Sequence, residues 1–238
     1  NKTVKGKQMR IDKFAAEQTG ISRADAKAMI KKRQIIVNGE PVRSGEVHID
    51  PENDDIVIGS KHINYRKHLY IMLNKPAGTV CAVKDELSPT VVELIPPELR
   101  RKGLFPAGRL DKDTEGFVFI TDDGALAHKM LSPRSHVEKE YEVTLEKPAE
   151  KGYAAVFEAG VTIDGGEKCL PAKIIFTDDE KVVRLIICEG KYHQVKRMME
   201  AVGNRVTFLK RVRIGGILLD PDLPLGQCRD CLLYTSDA

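Results

Sequence analysis

The chain has 238 residues, of which 42% are hydrophobic and 31% charged, with a formal net charge of +3. That length suits one large domain or two small ones, and the apolar share is enough for a true core. No apolar run approaches the roughly 18 residues of a membrane helix, and the basic opening Asn1–Lys7 lacks the apolar stretch of a secretion signal.

Five cysteines at irregular spacing, an odd number, argue against a disulfide framework and for a reducing, cytoplasmic setting. The sequence starts without methionine, so a processed, truncated or misassigned start is expected. Residues 1–33 carry ten Lys/Arg against three Asp/Glu, a local balance of +7. Two short helices fit this stretch. Ile11, Phe14 and Ala15 share a face of the first, with Gly20 at its C-terminal cap; Ser22 caps the second, where Ala26, Met29 and Ile30 recur at helical spacing. Ile35–Val37 and Pro41–Val42 flank Asn38-Gly39, a hairpin signal, and Asp55–Ile58 is a further strand. Arg10, Arg23, Lys27, Lys31, Lys32 and Arg33 can cover one surface of this unit and neutralise phosphates. Residues 59–68 are polar and weakly periodic, and read as a linker.

From Leu69 the pattern changes. Leu69–Leu73 reads as a strand that runs into Asn74-Lys75-Pro76-Ala77-Gly78, a turn, and then a second short strand through Thr79–Cys81. Thr90–Ile95 reads as a short helix stopped by Pro96-Pro97. The stretch Gly108–Gly116 follows, two glycines bracketing Asp111, Asp113, Glu115, Arg109, Lys112 and Thr114, and it feeds the apolar run Phe117–Ile120. A charged loop on a buried strand is a rigid mount for a reactive side chain. Asp122 or Asp123 then caps a helix through Leu131, and His136–Leu145 alternates as a half-exposed strand. A surface helix is expected within 147–159 with Tyr153, Val156 and Phe157 inward. Paired strands flank Asp178–Glu180, and Glu189–Met199 reads as a strand end, a glycine turn and a helix start. Residues 189–213 hold seven Lys/Arg against two Glu, a second basic cluster. Cys228 and Cys231 make a lone CxxC, a weak metal or redox signal.

Gly-Arg-Leu-Asp at 108–111, followed by Thr114, Gly116 and an apolar strand, resembles the signature loop of pseudouridine synthases, and most of all their RsuA-like ribosomal RNA branch. Asn74–Gly78, Lys139-x-Tyr141 and His193-Gln194-Val195-Lys196 resemble that family's other motifs, and the segment 8–58 resembles the alpha-L RNA-binding domain first described in a ribosomal protein. The resemblance spans about residues 8–230, and the tail 231–238 departs from the family ending, so a sequence artefact or truncation is expected there.

It implies an α+β chain: a helix-plus-hairpin RNA-binding domain at 1–58, a linker at 59–68, and a catalytic domain at 69–230 with a mixed, largely antiparallel sheet flanked by helices. It also implies that Asp111 is the catalytic carboxylate, Lys196 its basic partner, and Tyr141 the surface against the uracil, with Leu209 beside the base pocket and Arg109 on a phosphate. Lys75 is expected to support the loop, and Arg197, Lys210, Arg211 and Arg213 to contact RNA. The implied reaction moves the glycosidic bond from N1 to C5 of uracil and is redox-neutral, so no cofactor or metal is expected. Whether Asp111 attacks C1′ or removes the C2′ proton stays open. The implied partner is ribosomal RNA, leaning to the small subunit, or a ribosomal assembly particle; a monomer is expected.

Two rivals use parts of the same evidence. A non-catalytic RNA-binding or ribosome-assembly protein would use both basic clusters, but has no reason to keep Asp111, Tyr141 and Lys196 together. A glycoside hydrolase would pair Asp111 with Asp113 or Glu115, yet the chain has 5% aromatics and no Trp for a sugar cleft. Replacing Lys31, Lys32 and Arg33 together with Ala is expected to weaken RNA binding and to lower the slope of log affinity against log salt by about 2 to 3. A salt titration of RNA affinity checks it, and an unchanged slope refutes the phosphate assignment.

Overall fold

A computed structural model describes residues 8–231, which leaves Lys2, Lys5, Lys7 and the tail 232–238 outside the described residues. The described chain falls into two units. One comprises the residues up to Leu69 together with Pro96–Leu104, and the other comprises Tyr70–Ile95 and the chain from Phe105 onward.

In the first unit, β1 (Met9–Arg10) leads into α1 (Ile11–Thr19), capped by Gly20, and then α2 (Arg23–Lys31). Ser22 and Asp25 form a reciprocal capping box, so the two free N–H groups at the start of α2 are satisfied locally. β2 (Ile35–Val37) and β3 (Glu40–Pro41) close a hairpin over Asn38 and Gly39, both at positive φ, as a two-residue turn requires. β4 (His48–Ile49) pairs with β1; β5 (Ile56–Ile58) pairs with β2. β6 (Lys61–His62) pairs with β5, so the stretch read as a linker contributes a strand to this unit. It is also tied down beyond the strand, because Gln18 and Arg101 both donate to the Arg66 carbonyl. Ile11, Phe14, Ala26, Ile30, Ile35 and Ile56 form the core.

The second unit contains β7 (Tyr70–Lys75), β8 (Phe105–Pro106), β9 (Glu115–Thr121), α3 (Gly124–Leu131), β10 (Lys139–Leu145), α4 (Tyr153–Glu158), β11 (Thr162–Ile163) and β12 (Glu167–Lys168). It continues with β13 (Lys173–Phe176), β14 (Val182–Ile187), α5 (Gln194–Ala201), β15 (Val206–Ile214), β16 (Ile217–Leu218) and β17 (Cys228–Asp230). Among the described residues the main sheet has nine strands in the order β13-β14-β10-β15-β9-β7-β17, with β16 on β15 and β8 on β9. Every ladder in it is antiparallel except β15 with β9, which confirms a mixed, largely antiparallel sheet. The parallel ladder sets Arg211 opposite Gly116, whose φ is 101°; a Cβ there would run into the Arg211 carbonyl oxygen, so only glycine fits.

Three local expectations fail for physical reasons. Residues 90–95 form turns with i→i+3 hydrogen bonds rather than a helix, because a six-residue segment with paired valines ahead of two prolines cannot sustain α-helical bonding. Residues 79–81 contribute only an isolated bridge, Val80 to Thr90, not a strand. In α4, Tyr153 and Phe157 point inward four residues apart, while Val156 is exposed.

The end of β7 carries a buried cation. Lys75 is fully buried, and its ammonium donates to the carbonyls of Pro76 (3.1 Å), Lys112 (3.1 Å) and Thr114 (2.7 Å). These three donors on three acceptors satisfy every N–H of the group. Burial pulls the Lys75 pKa below the ordinary lysine value, while Cys81, Asp113, Asp111 and Glu115 push back. The ammonium thereby ties the turn after β7 to the segment 111–114, and Gly78 N–H adds a bond to the Lys112 carbonyl at 2.8 Å. Lys75→Met is expected to cost roughly 1–3 kcal/mol of stability through unpaired buried carbonyls, and to speed amide exchange at Gly78 and Thr114. Denaturant unfolding with hydrogen exchange reads both, and unchanged protection would refute the brace.

Candidate active site

The loop 108–114 is fixed from both sides. Lys75 holds its carbonyls, Leu110 N–H meets the Cys81 sulfur at 3.3 Å, and Thr114 N–H bonds the Asp111 carbonyl at 3.1 Å. The Asp111 side chain is left projecting, and two groups from the start of α5 meet it. Lys196 Nζ lies 3.1 Å from Asp111 Oδ2, and His193 Nε2 lies 3.5 Å from Oδ1. His193 caps α5 with a left-handed φ of 47°, and its three-residue spacing from Lys196 turns both side chains to one side of the helix.

Lys196 also binds Asp113, at 2.7 and 3.0 Å, so one ammonium bridges two carboxylates of the loop. Burial opposes charge on Lys196, but the bonds to Asp113 and Asp111 outweigh it and raise its pKa above the ordinary value. The hydrogen bond from Lys196 likewise holds Asp113 below the usual carboxylate range. Lys196 and Asp113 therefore stay ionised around neutral pH.

Asp111 opens onto a cavity of about 750 Å³, within the range of small-molecule sites. Its apolar side is built by neighbouring strands. Tyr141 on β10, Ile187 on β14 and Leu209 on β15 line it, with Tyr141 7% and Leu209 6% exposed. An irregularity in the β10–β15 register falls between Glu140 and Tyr141. Arg109, Leu110 and Thr114 line it from the loop, Cys81 and Asp85 from the turn after β7, and Lys191, Tyr192 and His193 from the approach to α5. An anion and a flat aromatic surface thus line one concave space, with the Lys196 ammonium paired to the anion, and the three groups come from segments far apart in sequence.

The basic residues divide sharply. Arg23, Lys27, Lys31, Lys32 and Arg33 are exposed on the first unit, where Arg10 pairs with Asp12 and Glu46. Arg109 is exposed at the cavity rim, and Lys210 is partly exposed on β15. Three residues expected on an RNA track are placed otherwise. Arg211 is 2% exposed and donates from Nε to the Phe117 carbonyl, so it is a core residue bridging β15 and β9. Arg197 is held by Asp164, by Glu167 at 3.0 Å and by the Tyr192 carbonyl at 3.1 Å. Arg213 is held by Glu138 and Glu140 at 2.9 and 2.8 Å. The charges of Arg197 and Arg213 are taken up by carboxylates of this chain, which a phosphate would have to displace.

Among the described residues no group of three or more His, Cys, Asp or Glu is placed to hold a metal. The CxxC does not offer thiolates either. Burial raises both thiols, Cys228 to about 11, and all five cysteines are free. Two participants escape sequence reasoning. Asp113 joins the pair because the loop turns it back toward Lys196. His193 reaches Asp111, and its signal was the three-residue spacing to Lys196 in the His-Gln-Val-Lys run.

Comparison with known proteins agrees with this geometry. The RNA pseudouridylate synthase family matches residues 69–201, and the S4 domain family matches residues 9–56. A protein of Bacillus subtilis (strain 168) named an uncharacterized RNA pseudouridine synthase is 45% identical over 225 residues, 93% of this chain and 94% of that one. The ribosomal small subunit pseudouridine synthase A of Escherichia coli (strain K12) is 44% identical over 221 residues, 93% of this chain and 95% of its own. A crystal structure described as a pseudouridylate synthase superposes with a TM-score of 0.65 at 41% identity, covering 94% of this chain and 96% of that one. With matches of this extent around a cavity that presents a paired carboxylate, the chain belongs to the RNA pseudouridylate synthase family, with an S4 domain at its N-terminal end.

Proposed function

We propose that this protein isomerises a specific uridine of small-subunit ribosomal RNA to pseudouridine. One observation carries the reading: Asp111 and Lys196 pair at 3.1 Å at a cavity lined by Tyr141 and Leu209. The small-subunit assignment is supported by relatives such as the Escherichia coli small subunit enzyme, 44% identical along nearly the full length.

A uridine stacked in folded RNA is out of reach of a concave site, so the nucleotide is extruded into the cavity at a cost of a few kcal/mol of unstacking. Tyr141 and Leu209 take its base between them, and Arg109 at the rim takes a flanking phosphate. The Asp111 carboxylate acts on the sugar, by attack at C1′ or by removal of the C2′ proton. Either route breaks the N1–C1′ bond, lets the uracil turn in the pocket, and forms the C5–C1′ bond. As C5 bonds to C1′, the Asp111–C1′ bond breaks on the first route, or C2′ regains its proton on the second; the C5 proton is then lost and N1 gains one, so atoms and electrons balance. Lys196 keeps the carboxylate aimed, 3.1 Å from its Oδ2, and Tyr141 holds the detached base. The exposed cations of the first unit, Arg23, Lys27, Lys31, Lys32 and Arg33, provide a second grip on the RNA phosphates. Arg10 and Lys210 are secondary contacts. We read the acting species as a monomer on ribosomal RNA, free or in an assembling particle, in the cytoplasm.

A protein that only bound RNA would gain nothing from a carboxylate facing the bound nucleotide, since it repels phosphate. Asp111→Asn is expected to keep the fold and RNA affinity within about threefold and to abolish pseudouridine formation. Lys196→Met is expected to lower kcat at least about a hundredfold while affinity changes little. Single-turnover kinetics with filter binding separates the two effects, and a variant at Asp111 with near-normal turnover refutes its role.

A further inference from the structure

Two aromatic rings stand at the cavity mouth that the chemistry above does not use. Tyr192 is 75% exposed, and its ring stacks on that of His193 with centroids 3.8 Å apart and planes 18° apart. Both residues line the cavity. The inner face of the tyrosine is thus covered by imidazole, while the residue as a whole stays open to solvent.

The pair is built rather than loose. His193 adopts a left-handed φ of 47°, a conformation that is strained for a non-glycine residue and persists only where surroundings enforce it. Arg197 supplies the enforcement. Its side chain donates to the Tyr192 carbonyl at 3.1 Å and its backbone N–H to the His193 carbonyl at 3.0 Å, and Asp164 and Glu167 anchor the guanidinium. Gln194 fixes the other side of the turn, accepting from Lys191 N–H at 2.9 Å and donating to Glu189 at 2.7 Å. The far edge of the stack reaches Asp111, 3.5 Å from His193 Nε2.

Resting on the uridine-isomerase reading above, we infer that the Tyr192–His193 stack is a shelf that receives a nucleobase next to the extruded uridine. Extrusion leaves the neighbouring base with one bare face. A rigid, exposed ring on the cavity wall can cover that face, and stacking of this kind tolerates any base. The cavity thereby has aromatic contacts at two depths, Tyr141 for the extruded base and Tyr192 for its neighbour. Arg197 serves as the strut of the shelf instead of a phosphate contact.

The test uses the full chain and ribosomal RNA fragments carrying 2-aminopurine on either side of the modified uridine. In the wild type, binding should quench one of the two labels. Tyr192→Ala should lose that quenching and raise KM about tenfold with kcat within about twofold, whereas Tyr192→Phe should retain both. Because Tyr192 is exposed, the substitution leaves the core untouched. Unchanged KM and quenching in Tyr192→Ala overturn the shelf, whatever the turnover. Quenching that depends on Tyr192 in a protein that forms no pseudouridine would support the shelf while sinking the isomerase reading.

Discussion

One ammonium, that of Lys196, holds two carboxylates of a single loop, and much of the catalytic unit is arranged to bring the three groups together. Carboxylates that close repel one another, and each is costly to ionise away from water unless a cation sits beside it. Lys196 offsets that repulsion at distances of 3.1 and 2.7 Å. It can do so only because α5 begins where the loop after β8 ends its excursion, and that meeting depends on β15 and β9 lying side by side. Their short parallel ladder, at the one position where a glycine admits the neighbouring backbone, is what sets helix and loop face to face.

A second lysine works on the same loop by another route. Lys75 makes no ion pair with the loop and instead binds its carbonyls from within the protein. The loop is therefore clamped at the backbone by one cation and at the side chains by another. Catalysis by electrostatic preorganisation needs this, because a carboxylate free to swing would lose its orientation at the moment charge develops. The same logic of fixed polar groups recurs at the cavity mouth, where Arg197 locks the turn that carries His193 and Tyr192.

Local signals made much of the fold legible. The capping residues Ser22 and Asp123, the Asn38-Gly39 turn and the alternation along Lys139–Leu145 each depend on neighbours in sequence, and each yields the expected element. The motif wording likewise identifies the segments that supply Asp111, Tyr141, Lys196 and Leu209. What was not legible depends on partners far away. Nothing near Arg197 announces that Asp164 and Glu167 will claim it, and nothing near Arg211 announces that the Phe117 carbonyl will. A basic run in sequence thus became part core, part internal ion pairs and part surface. Short segments such as 90–95 fail for the opposite reason, since too few local bonds can form to decide their state.

Rearrangement of one uridine of small-subunit ribosomal RNA at this paired carboxylate needs no added cofactor in our proposal. The most direct measurement incubates the protein with unmodified small- and large-subunit ribosomal RNA in buffer alone and maps pseudouridine across both by chemical labelling. A single stoichiometric pseudouridine is expected in the small-subunit RNA and none in the large. Pseudouridine confined to the large subunit would contradict the substrate assignment, and no pseudouridine in either RNA, free or in assembling particles, would contradict the reaction itself.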